Sequence, residues 1–241
     1  MTGASGIRAG SESFCATPIV LKGSTVALAN RDIRLERGQR LQMVLKRAID
    51  VVSSVLGLLI LSQLLLLVAV VIRLESRGPV LFRQTRVGLG GQAFEMLKFR
   101  TMTLDAECRK GELLHLNHTG DGRLFKIVED PRVIKVGRLL RKYSVDEIPQ
   151  LWNVLKGEMS LVGPRPFFPD DLLEYEPWHM RRYSVIPGIT GEWQVNGRSE
   201  LVDFEAVVRQ DLQYIDNWSI VRDVAVLVRT IPAVLSGRGA M

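Results

Sequence analysis

The sequence contains little cysteine and histidine, which limits the metal and disulfide sites it can build. Its two cysteines, Cys15 and Cys108, lie far apart and neither belongs to a CxxC pair. A disulfide framework and a structural zinc site are therefore not expected. His115 and His118 stand three positions apart, but no third ligand follows in register, so we expect surface histidines.

A long apolar run is also missing from the first 42 residues, which are rich in glycine, serine, threonine and arginine. This composition indicates a mobile polar tail over residues 1–42, with a short strand at 18–28, and no secretory signal. The formal net charge of +6 indicates an anionic partner. Nucleic acid, anionic lipid and phosphorylated substrates fit that charge equally well.

Residues 51–72, VVSSVLGLLILSQLLLLVAVVI, contain no charged side chain. As a helix this run would be about 33 Å long, close to the thickness of a bilayer core. A buried core helix is the alternative, but such helices seldom lack a polar face over this length. We therefore predict a membrane element over residues 43–77.

Basic residues flank the apolar run on both sides: Arg37, Arg40, Lys46 and Arg47 precede it, and Arg73 and Arg77 follow it. Both flanks are typical of the cytoplasmic side of a membrane. A helix that enters, bends near Ser62 and Gln63 and returns places both flanks there, whereas a straight span separates them. Composition alone leaves these two topologies open.

The remaining residues, 78–241, are predicted to form one catalytic domain of the α+β class, mostly helical with a small β-hairpin. β-rich segments on either side of residues 88–91, GLGG, indicate the hairpin at 80–102. Helices are predicted at 105–116, at 131–143 with one basic face, and at 221–235.

The densest group of reactive residues lies at 138–166, RLLRKYSVDEIPQLWNVLKGEMSLVGPRP, around the adjacent carboxylates Asp146 and Glu147. Nearby arginines favour the ionised form of a carboxylate, and an ionised aspartate is a nucleophile toward phosphorus. A neighbouring carboxylate can hold Mg²⁺, and arginines bind phosphate oxygens. Taken singly, each feature also fits an ordinary helix start or a stiff turn.

Six blocks of this sequence resemble the bacterial sugar transferases known as monotopic phosphoglycosyl transferases. They are Lys46-Arg47 with Asp50, LKFRTM at 97–102, EDPRV at 129–133, YSVDEIPQLWNVLKGEMSLVGPRP at 143–166, PGITGEWQVNGR at 187–198 and YIDNWSIVRD at 214–223. The blocks occur in the family's order and extend over most of the chain, in the form of a short, single-domain member.

The resemblance implies a two-step transfer of a sugar 1-phosphate from a UDP-sugar to undecaprenyl phosphate. Asp146 would form a phosphosugar intermediate with release of UMP, and Glu147 would hold Mg²⁺. Arg141 and Arg165 match positions that contact phosphate, and Lys98 and Arg100 match a basic motif near the site. The product would begin the assembly of an exopolysaccharide, capsule or other glycan.

The resemblance also implies a re-entrant membrane helix and a location on the cytoplasmic face of the bacterial inner membrane. In the family a Ser-Pro pair breaks this helix; here Ser62 matches, but Gln63 replaces the proline. The expected partners are the UDP-sugar, with a hexose favoured, the polyprenyl phosphate and the lipid bilayer, and no nucleic acid. Self-association into a homo-oligomer is left open.

Two other functions compete with this interpretation. A conventional metal-dependent glycosyltransferase often carries an Asp-x-Asp motif, and no two aspartates here have that spacing. A membrane-tethered scaffold would use the basic surface alone, but it leaves the reactive group at 146–166 unexplained. Trp193, in the PGITGEW block, is a candidate to stack on uracil, with core packing as the alternative.

Overall fold

The computed structural model describes residues 37–117, 127, 129–169, 175–196 and 203–237. This part of the chain is mostly helical, with two small two-stranded sheets, in agreement with the predicted α+β class. Most of the predicted tail at 1–42, its strand at 18–28 and His118 lie outside the described residues. The first helix already begins at Arg37.

The α-helices are α1 (Arg37–Ile60), α2 (Ser62–Glu75), α3 (Lys135–Lys142), α4 (Gln150–Lys156), α5 (Glu192–Asn196), α6 (Phe204–Asp216) and α7 (Ile220–Leu235). The strands are β1 (Leu81–Val87), β2 (Ala93–Phe99), β3 (Ser160–Val162) and β4 (Gly188–Thr190). Short 3-10 helices lie at Leu89–Gly91, Cys108–Leu116, Val145–Glu147 and His179–Ser184.

The apolar run forms two helices with a bend between them. Within the described residues no single helix has the length and apolar composition to cross a bilayer, but Arg40–Ile60 and Ser62–Glu75 have both together, bent by 60°. The Ser62 hydroxyl donates to the Leu59 carbonyl at 2.8 Å. Such serine-to-backbone bonds often accompany helix bends, so the bend forms without a proline.

Polar side chains of α1 fix this helix to the rest of the chain. Lys46 Nζ donates to Asp223 Oδ2 at 2.6 Å. The buried Asp50 carboxylate accepts hydrogen bonds from Ser160 Oγ at 2.7 Å and from Leu161 N at 3.0 Å. These contacts join α1 to α7 and β3, which no local pattern in the sequence indicates.

The far end of α2 is fixed to the same domain. Glu75 Oε1 accepts from Lys135 N at 2.6 Å, and Glu75 Oε2 accepts from Val136 N at 2.9 Å. The carboxylate therefore satisfies backbone N–H groups at the start of α3, which otherwise lack helical partners. Ile72 is fully buried in the cluster that also contains Phe99. Both helices of the bent pair thus contact residues that follow them in the chain.

The predicted hairpin is confirmed, since β1 and β2 pair antiparallel from Leu81 opposite Phe99 to Val87 opposite Ala93. The second sheet, in which β3 and β4 run parallel, was not predicted. It depends on a close approach: a Cβ added at Gly188 would lie 2.1 Å from the backbone nitrogen of Gly163.

Two predicted helices differ from the structure, and one is confirmed. Residues 105–116 form turns and the 3-10 helix Cys108–Leu116 rather than an α-helix, and Gly111 in this segment disfavours the α-helix. The helix predicted at 131–143 begins at Lys135, because Val133 forms an antiparallel bridge with Met102. The amphipathic helix predicted at 221–235 is α7.

Candidate active site

Asp146 and Glu147 lie on a short turn between α3 and α4. After α3 ends, Ser144 adopts a left-handed backbone conformation, with φ of 53°, and reverses the chain. Such a conformation is uncommon for a residue other than glycine. The following 3-10 turn, Val145–Glu147, places the carboxylates next to β2, and Pro149 then leads into α4.

Two cations hold the Glu147 carboxylate. Lys98 Nζ donates to Glu147 Oε1 at 2.9 Å, and Arg165 Nη2 donates to the same oxygen at 2.6 Å. Burial acts to raise the pKa of Glu147, but the charges and hydrogen bonds of Arg165 and Lys98 outweigh it and hold this pKa well below its usual range. Glu147 is therefore ionised at neutral pH.

The Asp146 carboxylate is buried beside this pair, with only 7% of the residue exposed. Within the described residues, no hydrogen bond or ion pair engages it. Burial and then the negative charge of Glu147 raise the pKa of Asp146, against the opposite effect of Lys98, Arg141 and Arg165. A carboxylate held among cations without a direct bond can attack phosphorus without first breaking one.

The other two predicted phosphate-binding residues, Arg141 and Arg100, have different partners. Arg141 Nε donates to Thr101 Oγ1 at 2.9 Å, and the charge of Asp146 acts on its guanidinium. Arg100 instead donates to the backbone carbonyls of Ser76 at 2.7 Å and Arg77 at 2.6 Å. The structure thus gives Arg100 two backbone contacts after α2, and its contact with phosphate stays a prediction.

Lys98 and Arg165 were predicted to bind substrate phosphate, and the structure shows both at Glu147. Arg165 has 27% of its side chain exposed and Lys98 has 15%, so neither is sealed off. Their contact with phosphate stays a prediction. Their observed contact fixes the carboxylate next to Asp146.

Two buried arginines that the sequence did not single out hold the segment around Arg165. Arg182 Nη2 donates to the Arg165 carbonyl at 3.0 Å and pairs with Asp211, each side chain being 1% exposed. Arg86 Nη1 donates to the Pro166 carbonyl at 3.2 Å. These partners are 17 and 80 residues apart in the chain, so no local motif reveals them.

The donor set fits Mg²⁺ only in part. No group of three or more histidine, cysteine, aspartate or glutamate side chains that could hold a metal occurs among the described residues. Mg²⁺ at phosphate-transfer sites is often held by one or two carboxylates, with substrate phosphates and water completing its shell. Glu147 fits that arrangement through Oε2, because both cations contact Oε1.

The remaining candidates lie elsewhere. Trp193 packs against the core cluster that contains Phe167 and Phe204, in agreement with the core-packing alternative. His115 is exposed, as expected for a surface histidine.

Comparison with known proteins identifies relatives over most of the chain. Residues 41–237 match the family described as bacterial sugar transferase. A galactosyl transferase of Streptococcus agalactiae is 44% identical over 82% of this chain and 44% of its own length. A UDP-glucose:undecaprenyl-phosphate glucose-1-phosphate transferase of Caulobacter vibrioides is 43% identical over 79% of this chain and 70% of its own length.

An undecaprenyl-phosphate galactose phosphotransferase of Salmonella typhimurium is 40% identical over 84% of this chain and 43% of its own length. The match to this chain thus covers less than half of the Streptococcus and Salmonella relatives.

Proposed function

The chain belongs to the bacterial sugar transferase family, and from this we propose that it transfers a sugar 1-phosphate from a UDP-sugar to undecaprenyl phosphate and releases UMP. The observation that carries the proposal is the state of Asp146, a buried carboxylate surrounded by cations and engaged by no described partner. A nucleophile needs that freedom, and Glu147 beside it lacks it.

In the first step, a carboxylate oxygen of Asp146 attacks the phosphorus that carries the sugar. A bond forms between Asp146 and phosphorus, and the bond from this phosphorus to the bridging oxygen breaks. UMP leaves with that oxygen and its electron pair. Arg141 and Arg165 stabilise the negative charge that develops on the phosphate oxygens.

In the second step, a phosphate oxygen of undecaprenyl phosphate attacks the same phosphorus. The bond to Asp146 breaks, the carboxylate is regenerated, and the polyprenyl diphosphate sugar leaves. The covalent intermediate lets a water-soluble donor and a lipid acceptor use one nucleophile in turn. Mg²⁺ held by Glu147 would neutralise charge on the diphosphate of the donor.

The same proposal places the bent pair of α1 and α2 in the cytoplasmic leaflet of the inner membrane as a re-entrant element. Contacts at both outer parts of the pair support this placement, because Asp50 in α1 and Glu75 in α2 bind the same domain. A straight span would carry these residues to opposite sides of the bilayer.

A hexose is the proposed sugar. Relatives from Caulobacter and Salmonella carry glucose and galactose in their names, and a relative from Rhizobium meliloti, 40% identical over 81% of this chain, is an exopolysaccharide production protein. The proposed product therefore starts an exopolysaccharide or a related glycan.

The test uses detergent-solubilised protein and a UDP-hexose labelled in the sugar. Wild-type protein should form a labelled covalent adduct with release of UMP, and should pass the label to undecaprenyl phosphate when this lipid is added. Asp146→Asn should do neither. Asp216→Asn is the matched control, because Asp216 is an exposed aspartate paired with Arg181.

Near-normal turnover by Asp146→Asn would remove Asp146 as the nucleophile. Labelled lipid without release of UMP would instead indicate transfer of the sugar without its phosphate. No labelled product of either kind from the wild-type protein would favour a scaffold.

A further inference from the structure

An apolar cavity of about 280 Å³ lies between the helix bend and the candidate active site. The bend, α4, β4, α5 and α7 all contribute to its wall. Seven of its thirteen lining residues have aliphatic side chains: Leu61, Ile148, Leu151, Ile189, Val195, Ala233 and Val234.

The position of this cavity links the membrane element to the carboxylates. Glu147 forms part of its wall, and Glu147 is the residue that Lys98 and Arg165 hold. Leu61, the residue between α1 and α2, forms another part. A ligand in this cavity therefore has one end at the reactive group and the other at the bend of the apolar helices.

Some polar groups in the wall already have partners, whereas the amide oxygen of Gln194 is buried without one. The Thr190 and Thr230 hydroxyls are 2.8 Å apart, and Thr230 Oγ1 also donates to the Val226 carbonyl at 2.8 Å. Gln194 Nε2 donates to the Ile189 carbonyl at 3.2 Å. A uracil, a ribose or a hexose carries several polar groups, and the Gln194 oxygen and the Glu147 carboxylate would replace only part of the hydrogen bonds to water that such a ligand loses here, which costs free energy.

A hydrocarbon chain has no such cost and gains about 0.8 kcal/mol for each buried methylene group.

We propose that this cavity binds the isoprene units next to the phosphate of the polyprenyl acceptor and so brings that phosphate to Asp146. The assignment rests on the proposed function and adds to it the place where the acceptor lipid is recognised. In the first half-reaction, in which UDP-hexose gives UMP and the covalent adduct, the donor reaches only the Glu147 edge and does not use the aliphatic part of this cavity. The second half-reaction does.

Ala233→Phe tests the assignment, because Ala233 lines the cavity from α7 and a phenyl group there would obstruct it. Ala225→Phe is the matched control: it makes the same change on the same helix, at an exposed position outside the cavity. Ala233→Phe should form the adduct and release UMP like the wild type. Its kcat/KM for polyprenyl phosphate should fall at least tenfold, whereas Ala225→Phe should stay within twofold of the wild type.

Val234→Ala is a second variant, which enlarges the cavity and avoids overpacking. It should lower kcat/KM for polyprenyl phosphate several-fold and leave adduct formation unchanged. This variant decides the matter if Ala233→Phe does not fold, and normal use of polyprenyl phosphate by either folded variant overturns the assignment.

Other outcomes identify other occupants. Loss of adduct formation in a folded Ala233→Phe protein would assign the cavity to the donor instead. Equal competition by a phosphatidic acid in mixed micelles would assign it to acyl chains in general. Failure of the wild-type protein to form any adduct removes the proposed function itself, and this result is distinct because it appears before any variant is made.

Discussion

Replacing Asp50 with alanine tests whether α1 is fixed to β3. The buried Asp50 carboxylate accepts one hydrogen bond from Ser160 Oγ and one from Leu161 N. Hydrogen bonds to charged groups contribute about 1.5–3 kcal/mol each, and the variant leaves a buried hydroxyl and a backbone N–H without their acceptor. We expect Asp50→Ala to lower the free energy of unfolding by about 4 kcal/mol, a large part of the 5–15 kcal/mol typical of a domain.

The assay is denaturant unfolding in detergent, followed by circular dichroism. Asp50→Asn keeps one acceptor oxygen in place and should lose about 1–2 kcal/mol. Ser160→Ala completes a double-mutant cycle with Asp50→Ala. The loss of unfolding free energy caused by Ser160→Ala should be about 2 kcal/mol smaller in the Asp50→Ala background than in the wild type. Equal costs of Ser160→Ala in both backgrounds would show that the two side chains do not interact, and the docking of α1 described above would then be wrong.

Three further predictions concern the site and the bend. Arg165→Met leaves the buried Glu147 with Lys98 alone, so UMP release should fall by about 10²-fold or more, with Arg165→Lys in between; an unchanged rate would contradict a role for this ion pair. The pKa of Asp146 is raised, and only the ionised carboxylate attacks. The value of kcat/KM for UDP-hexose should therefore decline as the pH falls through a value above the ordinary aspartate pKa of about 3.9. A plateau that extends below pH 4 would refute this. Gln63→Pro should keep normal activity and thermal stability, because the helix is already interrupted there. Leu67→Pro, inside α2, should lower the free energy of unfolding by about 3 kcal/mol. Similar losses in both variants would argue against the bend.

Local sequence signals predicted those parts of the fold that depend on neighbouring residues. The hairpin follows from β-rich segments around 88–91, and α7 follows from its amphipathic pattern. For the apolar run, composition left a bend and a straight span open; the bend observed at Ser62 involves a carbonyl three residues back. In each case the decisive contacts lie within a few residues or across one tight turn.

Long-range contacts explain what the sequence did not predict. Lys46 was interpreted as a membrane flank, but its partner Asp223 is 177 residues away. Lys98 and Arg100 formed one basic motif in the sequence, yet β2 ends at Phe99 between them. Lys98 points to Glu147, whereas Arg100 follows the chain to the end of α2. The three residues from Lys98 to Arg100 therefore make contacts in two separate parts of the fold.

The bent pair α1–α2 is attached at both of its feet, through Asp50 on one side and Glu75 on the other. Because the helix pair is bound at two places, it resists rotation relative to the rest of the protein more than a single tethering helix would. These contacts position Leu61, at the bend, relative to Asp146. In the proposed orientation, the lipid acceptor therefore reaches Asp146 by lateral diffusion within one leaflet.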